Sequence, residues 1–163
     1  MKRIAPAGLR RVVSGGQTGV DRAALDAALA LGIPAGGWCP RGRRAEDGRI
    51  ARRYPLEETP AAAYAQRTAW NVRDSDGTLI LNRGALDGGT LYTLQMALRH
   101  GRPFLVLALE GRITPARVRG WITRNRIRTL NIAGPRESKR PGIYRETRAL
   151  LGRLLAAGGG RRT

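Results

Sequence analysis

One segment constrains the fold of this chain more than any other: residues 9–31 read LRRVVSGGQTGVDRAALDAALAL. A short apolar run ends at Val13, a glycine-rich turn follows, and small apolar residues then recur from Val20 at helical spacing. The pattern predicts a buried strand, a turn and a helix in direct succession. Such a turn favours anion binding, because free backbone N–H groups and the helix dipole both attract negative charge at a helix N-terminus.

The glycine turn offers both backbone and side-chain contacts to a phosphate. Its glycines allow the backbone to approach a ligand, and its hydroxyl and amide side chains can donate hydrogen bonds. The predicted contacts are Ser14, Gly15, Gly16, Gln17, Thr18 and Gly19. Asp21, in the first turn of the helix, either contacts the ligand or only stabilises the helix dipole. The alternative for the whole turn is a tight connection without a ligand, since glycine turns often follow strands.

Two familiar nucleotide-binding motifs are missing from this turn. It lacks the GK[ST] ending on which P-loop hydrolysis depends. It also lacks G-x-G-x-x-G spacing, and the next apolar segment ends in Trp38-Cys39-Pro40 rather than in the acidic residue that binds a dinucleotide ribose. The sequence therefore argues against NAD, FAD and a P-loop hydrolase.

Length and cysteine content predict one domain without cross-links. A chain of 163 residues can bury a core of its own, so we expect a single domain over residues 1–163, with flexible tails at 1–8 and 157–163. The single cysteine, Cys39, excludes an intramolecular disulfide and is expected to be a structural thiol. The single histidine, His100, excludes a multi-histidine metal site, and we expect neither a metal site nor a catalytic residue.

The chain has no long apolar run and no secretory leader, so we expect a cytoplasmic protein without a membrane partner. The formal net charge of +18 indicates affinity for polyanions, and nucleic acid binding is one alternative function. The arginines are scattered over nearly every segment, however, and aromatic residues are not interleaved with them as in single-strand binders. We therefore favour a small phosphate-bearing ligand over nucleic acid.

Further apolar segments alternate with helical patterns along the rest of the chain. The corresponding strands are expected to end at Trp38 and to span residues 77–81, 104–109 and 129–133. Helices are expected to open at Thr59-Pro60 and at Thr114-Pro115, the latter running to residue 124. The polar segment 40–60, with three prolines, is expected to cross the surface as a long loop. This alternation predicts a Rossmann-like three-layer α/β/α sandwich with a mainly parallel sheet of about five strands.

Two other loops follow predicted strands and should meet the first turn, because ligands bind where the carboxyl ends of parallel strands lie side by side. The predicted contacts are Asn82, Gly88, Gly89 and Thr90 after the third strand, and Arg136 and Ser138 after the fifth. Arg43, on the loop after the second strand, is included because a forked guanidinium suits a phosphate or a pterin edge.

With these loops in view, the chain resembles the molybdenum carrier family, whose members bind the molybdenum cofactor. The motifs are SGGQTGVDRAALD from residue 14, GGWCPRGRRAEDG from 36, YPLEETP from 54, RTAWNVRDSDGTLIL from 67, GGT from 88 and LNIAGPRES from 130. Together they span nearly the whole chain. The resemblance implies a homo-oligomeric carrier that holds the molybdenum cofactor, a phosphate-bearing pterin, or a nucleotide.

The chain is also similar, more distantly, to the lysine-decarboxylase-like nucleotide phosphoribohydrolases. Their arginine-lysine pair is matched by Arg67-Thr68, which implies that Arg67 contacts the ligand, and their glycine-threonine turn is partly matched at residues 88–90. Their catalytic glutamate falls on Thr93, which removes the usual general acid–base group. The comparison favours binding over hydrolysis, and it leaves a phosphoribohydrolase-like enzyme and a nucleic-acid-binding Rossmann module as alternatives.

Overall fold

The computed structural model describes residues 6 and 8–156. Its strands are β1 (Arg11–Val13), β2 (Ala35–Gly36), β3 (Trp38–Cys39), β4 (Arg44–Ala45), β5 (Gly48–Arg49), β6 (Glu57–Glu58), β7 (Gly77–Asn82), β8 (Phe104–Ala108) and β9 (Thr129–Ala133). Its helices are α1 (Val20–Leu31), α2 (Tyr64–Arg73), α3 (Gly88–Arg99), α4 (Pro115–Arg124) and α5 (Ile143–Leu154). The predicted tails, 1–8 and 157–163, lie outside the described residues except at positions 6 and 8.

A five-stranded parallel sheet in the order β2-β1-β9-β7-β8 forms the centre of the molecule. All six residues of β7 are buried, as expected for an apolar strand inside a sheet that is covered on both faces. Helices α1, α4 and α5 pack together on one face, and α2 packs against α3 on the other. The predicted Rossmann-like α/β/α sandwich is confirmed.

The largest apolar core lies between the sheet and the layer of α1, α4 and α5. The sheet contributes Leu79 from β7 and Leu130 and Ile132 from β9, all without exposed surface. The helices contribute Ala24 from α1 and Leu151 from α5, which are equally buried. Small alanine side chains on α1 allow the helix to lie close to its neighbours, and tight burial of this kind holds the layers in a fixed register. The core therefore places the carboxyl ends of β1, β9 and β7 side by side.

The segment 40–60 is not the surface excursion that its composition predicts. It folds back in two short pairings, β3 with β6 and β4 with β5. It buries Ile50, Tyr54 and Leu56 against Leu25 of α1, in a second apolar core. The prediction is wrong because the three large apolar residues of the segment, Ile50, Tyr54 and Leu56, all face inward, so a count of its apolar residues understates what the segment can bury.

A buried cation holds this segment together. The Nε of Arg43 donates to the carbonyl of Ile50 at 3.0 Å, and its Nη1 donates to the carbonyl of Leu56 at 3.1 Å. Its Nη2 donates to the carbonyls of Ala51 and Tyr54, both at 2.8 Å. Arg43 is only 9% exposed, and its donors are used within the segment. The predicted ligand contact of Arg43 is therefore replaced by a structural role.

The other predicted boundaries differ in accuracy. The extents of β9 and α4 are confirmed as predicted. Helix α2 begins at Tyr64 rather than after Pro60, because the Thr59 N–H donates to the Cys39 carbonyl at 2.8 Å and keeps the chain extended there. In the part of the chain that the structure describes, no helix is both long and apolar enough to cross a membrane.

Candidate functional site

Three loops meet at the carboxyl edge of the sheet, as the parallel topology requires. They connect β1 to α1, β7 to α3, and β9 to α5, and they enclose a cavity of about 330 Å³ together with the start of α2. The lining residues are Gln17, Asp21, Tyr64, Ala65, Arg67, Thr68, Gly88, Gly89, Thr90, Tyr92, Thr93, Ala133, Gly134, Pro135, Arg136 and Lys139. The mixture of rings, hydroxyls and cations is typical of a small-molecule site.

The second glycine turn, residues 87–90, leaves the N-terminus of α3 open to this cavity. Asp87 is the N-cap residue, but its side chain makes no capping hydrogen bond. The backbone N–H groups of Gly88, Gly89 and Thr90 have no acceptor among the described residues. A Cβ added at Gly89 would have no atom within 4 Å. Unpaired N–H groups at the positive end of a helix are suited to an anion.

Three cations surround the open end of α3. Lys139 lies 2.7 Å from Asp87, measured from its Nζ to the carboxylate. Its Nζ is also 2.8 Å from the position that a Cβ on Gly88 would take, so the absence of a side chain there admits the lysine. Arg67 and Arg136 line the cavity as well. An anion bound in the cavity would therefore meet positive charge from several sides.

The first glycine turn, residues 14–19, is partly closed by the protein itself. The hydroxyl of Ser14 donates to the Ile132 carbonyl at 2.7 Å, away from the cavity. The N–H of Gln17 donates to the Asp21 carboxylate at 3.3 Å, and the N–H of Val20 donates to the carbonyl of Pro135 at 3.2 Å. Within the turn, the N–H groups of Ser14, Gln17 and Thr18 thus have acceptors, whereas those of its three glycines have none among the described residues.

The glycines of the first turn are explained by close contacts with protein atoms. A Cβ on Gly15 would lie 2.5 Å from the Arg67 guanidinium, and one on Gly16 would lie 2.6 Å from Leu56. Gly19, with a φ of +77°, lies so close to the loop after β9 that a Cβ would be 2.8 Å from the backbone nitrogen of Glu137. The space next to a Cβ on Gly16, where the sequence predicts a phosphate, is occupied by the second apolar core.

Asp21 provides a buried carboxylate at the wall of the cavity. Only 3% of the residue is exposed, and one of its oxygens lies 3.6 Å from Nη1 of Arg67. Burial raises the pKa of the Asp21 carboxyl above its ordinary value of 3.8, although the charge of Arg67 and the N–H of Gln17 oppose the shift. Asp21 is therefore more than a helix-stabilising residue: it places a proton-binding group beside a cation in the cavity.

Thr93 and Asn82 take part in local hydrogen bonds. The Thr93 hydroxyl donates to the Gly89 carbonyl at 2.9 Å, one turn back along α3. The side chain of Asn82 donates from Nδ2 to the Gly84 carbonyl at 2.9 Å, which shapes the loop after β7. Thr93 lines the cavity without offering a carboxylate, whereas Asn82 does not line it.

Glu46 joins two of the three loops. It accepts hydrogen bonds from the Thr18 hydroxyl and from the N–H and hydroxyl of Ser138. Burial opposes its ionisation, but these hydrogen bonds and the nearby charge of Arg136 hold the pKa of Glu46 below its ordinary value of 4.5. Thr18 and Ser138, which the sequence predicts to bind a ligand, therefore bind the carboxylate of Glu46.

The structure brings six of the predicted contacts to the cavity and leaves eight outside its lining. The six are Gln17, Arg67, Gly88, Gly89, Thr90 and Arg136. The eight are Ser14, Gly15, Gly16, Thr18, Gly19, Arg43, Asn82 and Ser138. Three further cavity residues, Tyr64, Tyr92 and Lys139, are not predicted from the sequence. Lys139 stands out in retrospect as one of two lysines in an arginine-rich chain, whereas nothing in the sequence distinguishes the two tyrosines.

The cavity offers no evident metal-binding cluster. Among the described residues, no group of three or more His, Cys, Asp or Glu side chains is arranged to hold a metal ion. Cys39 is buried in the second apolar core, where burial raises the pKa of its thiol, and it does not line the cavity. Side chains in the cavity could hold an anionic group and a ring, but none of them is a thiolate.

A parallel α/β/α sandwich with a polar, cation-lined cavity at the carboxyl edge defines a ligand-binding domain of the Rossmann-like class. Residues 12–155 match the circularly permutated YpsA SLOG family, and the chain belongs to this family. A similar solved structure is the crystal structure of "Putative molybdenum carrier protein" from Syntrophus aciditrophicus SB, with 45% sequence identity and a TM-score of 0.87. The match covers 93% of this chain and 97% of that one. The predicted resemblance to the molybdenum carrier family is confirmed.

No curated protein is significantly similar in sequence to this chain.

Proposed function

We propose that this protein is a carrier that holds a phosphate-bearing pterin or nucleotide in the cavity at the carboxyl edge of its sheet. The observation that supports this most directly is the open N-terminus of α3, which faces a cavity lined by Arg67, Arg136 and Lys139. A helix N-terminus with free N–H groups and neighbouring cations is suited to a phosphate group. The carrier role is supported by the name of the 45%-identical relative, which calls that protein a molybdenum carrier.

The phosphate would lie against residues 88–90 in this proposal. The Thr90 side chain is almost fully buried and makes no hydrogen bond with the described part of the protein, so its hydroxyl is available to a ligand oxygen. Arg67 and Lys139 would then supply charge from the two sides, and each already has a carboxylate partner that keeps it in place. A hydrogen bond to a charged oxygen contributes about 1.5–3 kcal/mol.

The remaining part of the ligand would extend along the aromatic wall. Tyr64 and Tyr92 both line the cavity, and the guanidinium of Arg67 lies 5.5 Å from the ring centroid of Tyr64. A flat heterocycle can stack on such side chains, and this applies equally to a pterin and to a nucleobase. We include the molybdenum cofactor among the candidates because it combines a pterin with a phosphate. Because Cys39 lies away from the cavity, the organic part of the cofactor, rather than its molybdenum, would make the contacts with the protein.

Calorimetric titration can test the proposal. The probes are guanosine monophosphate and molybdenum cofactor released from a molybdoenzyme, each added to the wild-type protein, to Thr90→Val and to Thr123→Val. Thr123 is exposed on α4 and serves as the matched control. Thr90→Val should lose ten- to a hundredfold in affinity, and the control should bind like the wild type. Equal binding by all three proteins would contradict the assignment of the site.

A second candidate function, hydrolysis of a nucleotide N-glycosidic bond, is favoured by Asp21. The phosphoribohydrolases that the chain resembles use a carboxylate for this reaction, and Asp21 places one in the cavity next to Arg67. Its raised pKa suits a general acid. Release of free base from nucleoside monophosphates by the wild type, and its loss in Asp21→Asn, would establish the enzyme. Tight binding without base release would favour the carrier.

A further inference from the structure

The edge of the sheet opposite to the cavity gathers arginines that are far apart in the sequence. Because all five strands are parallel, the segments that precede the strands meet there, as do the C-terminal ends of the connecting helices. We define the amino-edge surface by Arg10, Arg73, Arg99, Arg102, Arg124, Arg126 and Arg128, all of which are exposed. These arginines are scattered along the sequence, which argues against a basic surface, but the topology brings them together at one edge.

Backbone contacts place these arginines next to one another. The N–H of Arg10 donates to the Arg128 carbonyl at 2.8 Å, which joins the entrances of β1 and β9. The N–H of Asp76 donates to the Thr129 carbonyl at 2.9 Å, which places the entrance of β7 beside that of β9. Arg102 precedes β8, the next strand along. With about 4.8 Å between neighbouring strands, the row from Arg10 to Arg102 spans about 14 Å.

Helix ends explain only some of these cations. Arg73, Arg99 and Arg124 lie in the last turns of α2, α3 and α4, where positive charge complements the helix dipole. Arg73 is also paired with Asp74, at 2.7 Å. Arg102 donates from its Nη2 to the Arg73 carbonyl at 3.0 Å, so these four residues can be understood from the fold alone.

The three arginines in the loops have no such explanation. The side chains of Arg10, Arg126 and Arg128 form no ion pair and no hydrogen bond with the residues that the structure describes. Arg126 adopts a φ of +53°, a conformation that glycine or asparagine would adopt more easily. Arginine is therefore present at a position whose backbone conformation does not favour it.

The acidic residues at this edge form no ion pair with the loop arginines. Asp76 accepts backbone hydrogen bonds from Arg128 and Thr129 through Oδ2, at 3.0 and 2.9 Å. Asp74 is hydrogen-bonded to Arg73 and to the indole N–H of Trp38. At the cavity, by contrast, the cations have carboxylate partners. The loop arginines thus differ from the cavity cations in having no carboxylate partner among the described residues.

We propose that the amino-edge surface binds the phosphate backbone of a nucleic acid duplex, independently of the cavity. A duplex presents about one charge per 1.7 Å of its axis, so the 14 Å row faces roughly eight phosphate charges. Planar guanidinium groups can donate two parallel hydrogen bonds to a phosphate, and here they are free to do so. The loop arginines have no aromatic residue among them, which favours a duplex over an unstacked single strand.

An anionic membrane is the less favoured partner. Membrane-binding surfaces combine cations with apolar side chains that enter the lipid. Leu98 and Phe104 are 62% and 37% exposed, but they lie at the β8 end of the edge. Arg10, Arg126 and Arg128 lie at the β1 and β9 end, where the one large apolar side chain exposed among the described residues is Leu29, in the last turn of α1.

The test compares two triple variants of the full chain that lose the same charge. One is Arg10→Gln, Arg126→Gln and Arg128→Gln; the control is Arg49→Gln, Arg52→Gln and Arg117→Gln, at exposed positions outside the edge. Fluorescence anisotropy with a labelled 24-base-pair duplex of arbitrary sequence measures affinity from 50 to 200 mM salt. The edge variant should lose at least tenfold in affinity at 100 mM salt. Its log–log salt slope should fall by about 2.7, because three phosphate contacts are lost.

The control variant should retain its affinity within threefold and keep its salt slope. Thr90→Val, which alters the cavity, should bind the duplex like the wild type, so this proposal can fail or succeed independently of the proposed ligand. The melting temperature of the edge variant should not decrease, since the removed guanidinium groups form no ion pair or hydrogen bond with the described residues. Equal losses in both triple variants would overturn the proposal. So would absence of wild-type binding at 100 mM salt, or tighter binding to a single strand or to phosphatidylserine vesicles.

Discussion

The two glycine turns are similar in sequence and position, but they differ in what lies against them. The first turn, residues 14–19, is surrounded by Arg67, by the second apolar core and by the loop after β9. The second turn, residues 87–90, faces the cavity, and its Gly89 has no neighbour where a side chain would be. Both turns begin a helix at the carboxyl edge of the sheet.

This difference teaches that a glycine turn has two separate uses. In the first turn, the missing side chains allow other parts of the protein to approach the backbone. In the second turn, they leave backbone N–H groups accessible to a ligand. Equivalent substitutions in the two turns should therefore have different effects: stability should change in the first and binding in the second.

Gly19→Ala should have the largest effect. The added Cβ would lie 2.8 Å from the backbone nitrogen of Glu137, and the φ of +77° is itself unfavourable for alanine. We expect a loss of about 3 kcal/mol in the free energy of unfolding, from strain and steric overlap together. Urea denaturation followed by circular dichroism would measure it. A loss below 1 kcal/mol would mean that the first turn and the loop after β9 can separate at little cost in free energy. The proposed difference between the two glycine turns would then be wrong.

Thr18→Val and Thr90→Val form a matched pair in the two turns. The Thr18 hydroxyl is hydrogen-bonded to Glu46 and accepts from the N–H of Glu137 at 3.1 Å, so its removal should cost about 1–2 kcal/mol of stability. Thr90→Val should leave stability nearly unchanged and weaken guanosine monophosphate binding ten- to a hundredfold. Denaturation and calorimetry on both variants would separate the effects. The reverse pattern would exchange the roles of the two turns.

The pH dependence of stability should distinguish Glu46, which joins the first turn to the loop after β9. Its folded-state pKa is below the ordinary value of 4.5 because the hydrogen bonds from Ser138 and Thr18 outweigh the effect of burial. The stability that this ionised group contributes is therefore present above pH 4.5 and is lost as the pH falls through the folded-state pKa. Glu46→Gln should melt below the wild type at pH 7, and the difference should shrink at pH 3.5. A difference independent of pH would contradict this account.

Gly89→Ala should have the smallest effect on stability, and with the opposite sign. Open space surrounds the position, and its φ is not in the left-handed region, so alanine should raise the free energy of unfolding by about 0.5 kcal/mol through the unfolded state. The methyl group would at the same time project toward the proposed phosphate. Higher stability together with weaker ligand binding is the expected result. A clear destabilisation would show that the second turn is as tightly packed as the first.

The fold could be predicted from the sequence where explicit local signals flank an element. Thr114 and Pro115 mark the start of α4 correctly, and the Thr114 side chain accepts from the N–H of Arg117 as a helix cap should. Thr59 and Pro60 carry the same signal but do not start α2. Thr59 instead continues the pairing with β3, through its bond to the Cys39 carbonyl. The same two-residue signal therefore has two outcomes, which the tertiary partners decide.

The cavity could be predicted only in part for a related reason. Parallel topology correctly implies that the three loops meet, and it brings Gln17, Thr90 and Arg136 to one space. Which glycine turn stays open depends on Ile50 and Leu56, which lie more than thirty residues from the first turn in the sequence. Local patterns carry no information about such neighbours, so both turns look equally suited to a phosphate.

The four carbonyl bonds of Arg43 give the segment 40–60 an all-or-none character. A guanidinium stays charged in water and in protein alike, so any opening of this segment must rehydrate the cation and release the carbonyls together. Such a segment behaves as one cooperative opening unit, whose amide hydrogens exchange with solvent at a common free energy. Because Ile50 and Leu56 cover Gly16, this opening would also uncover the first glycine turn. The rigidity of the first turn therefore depends on Arg43, a cation that does not line the cavity.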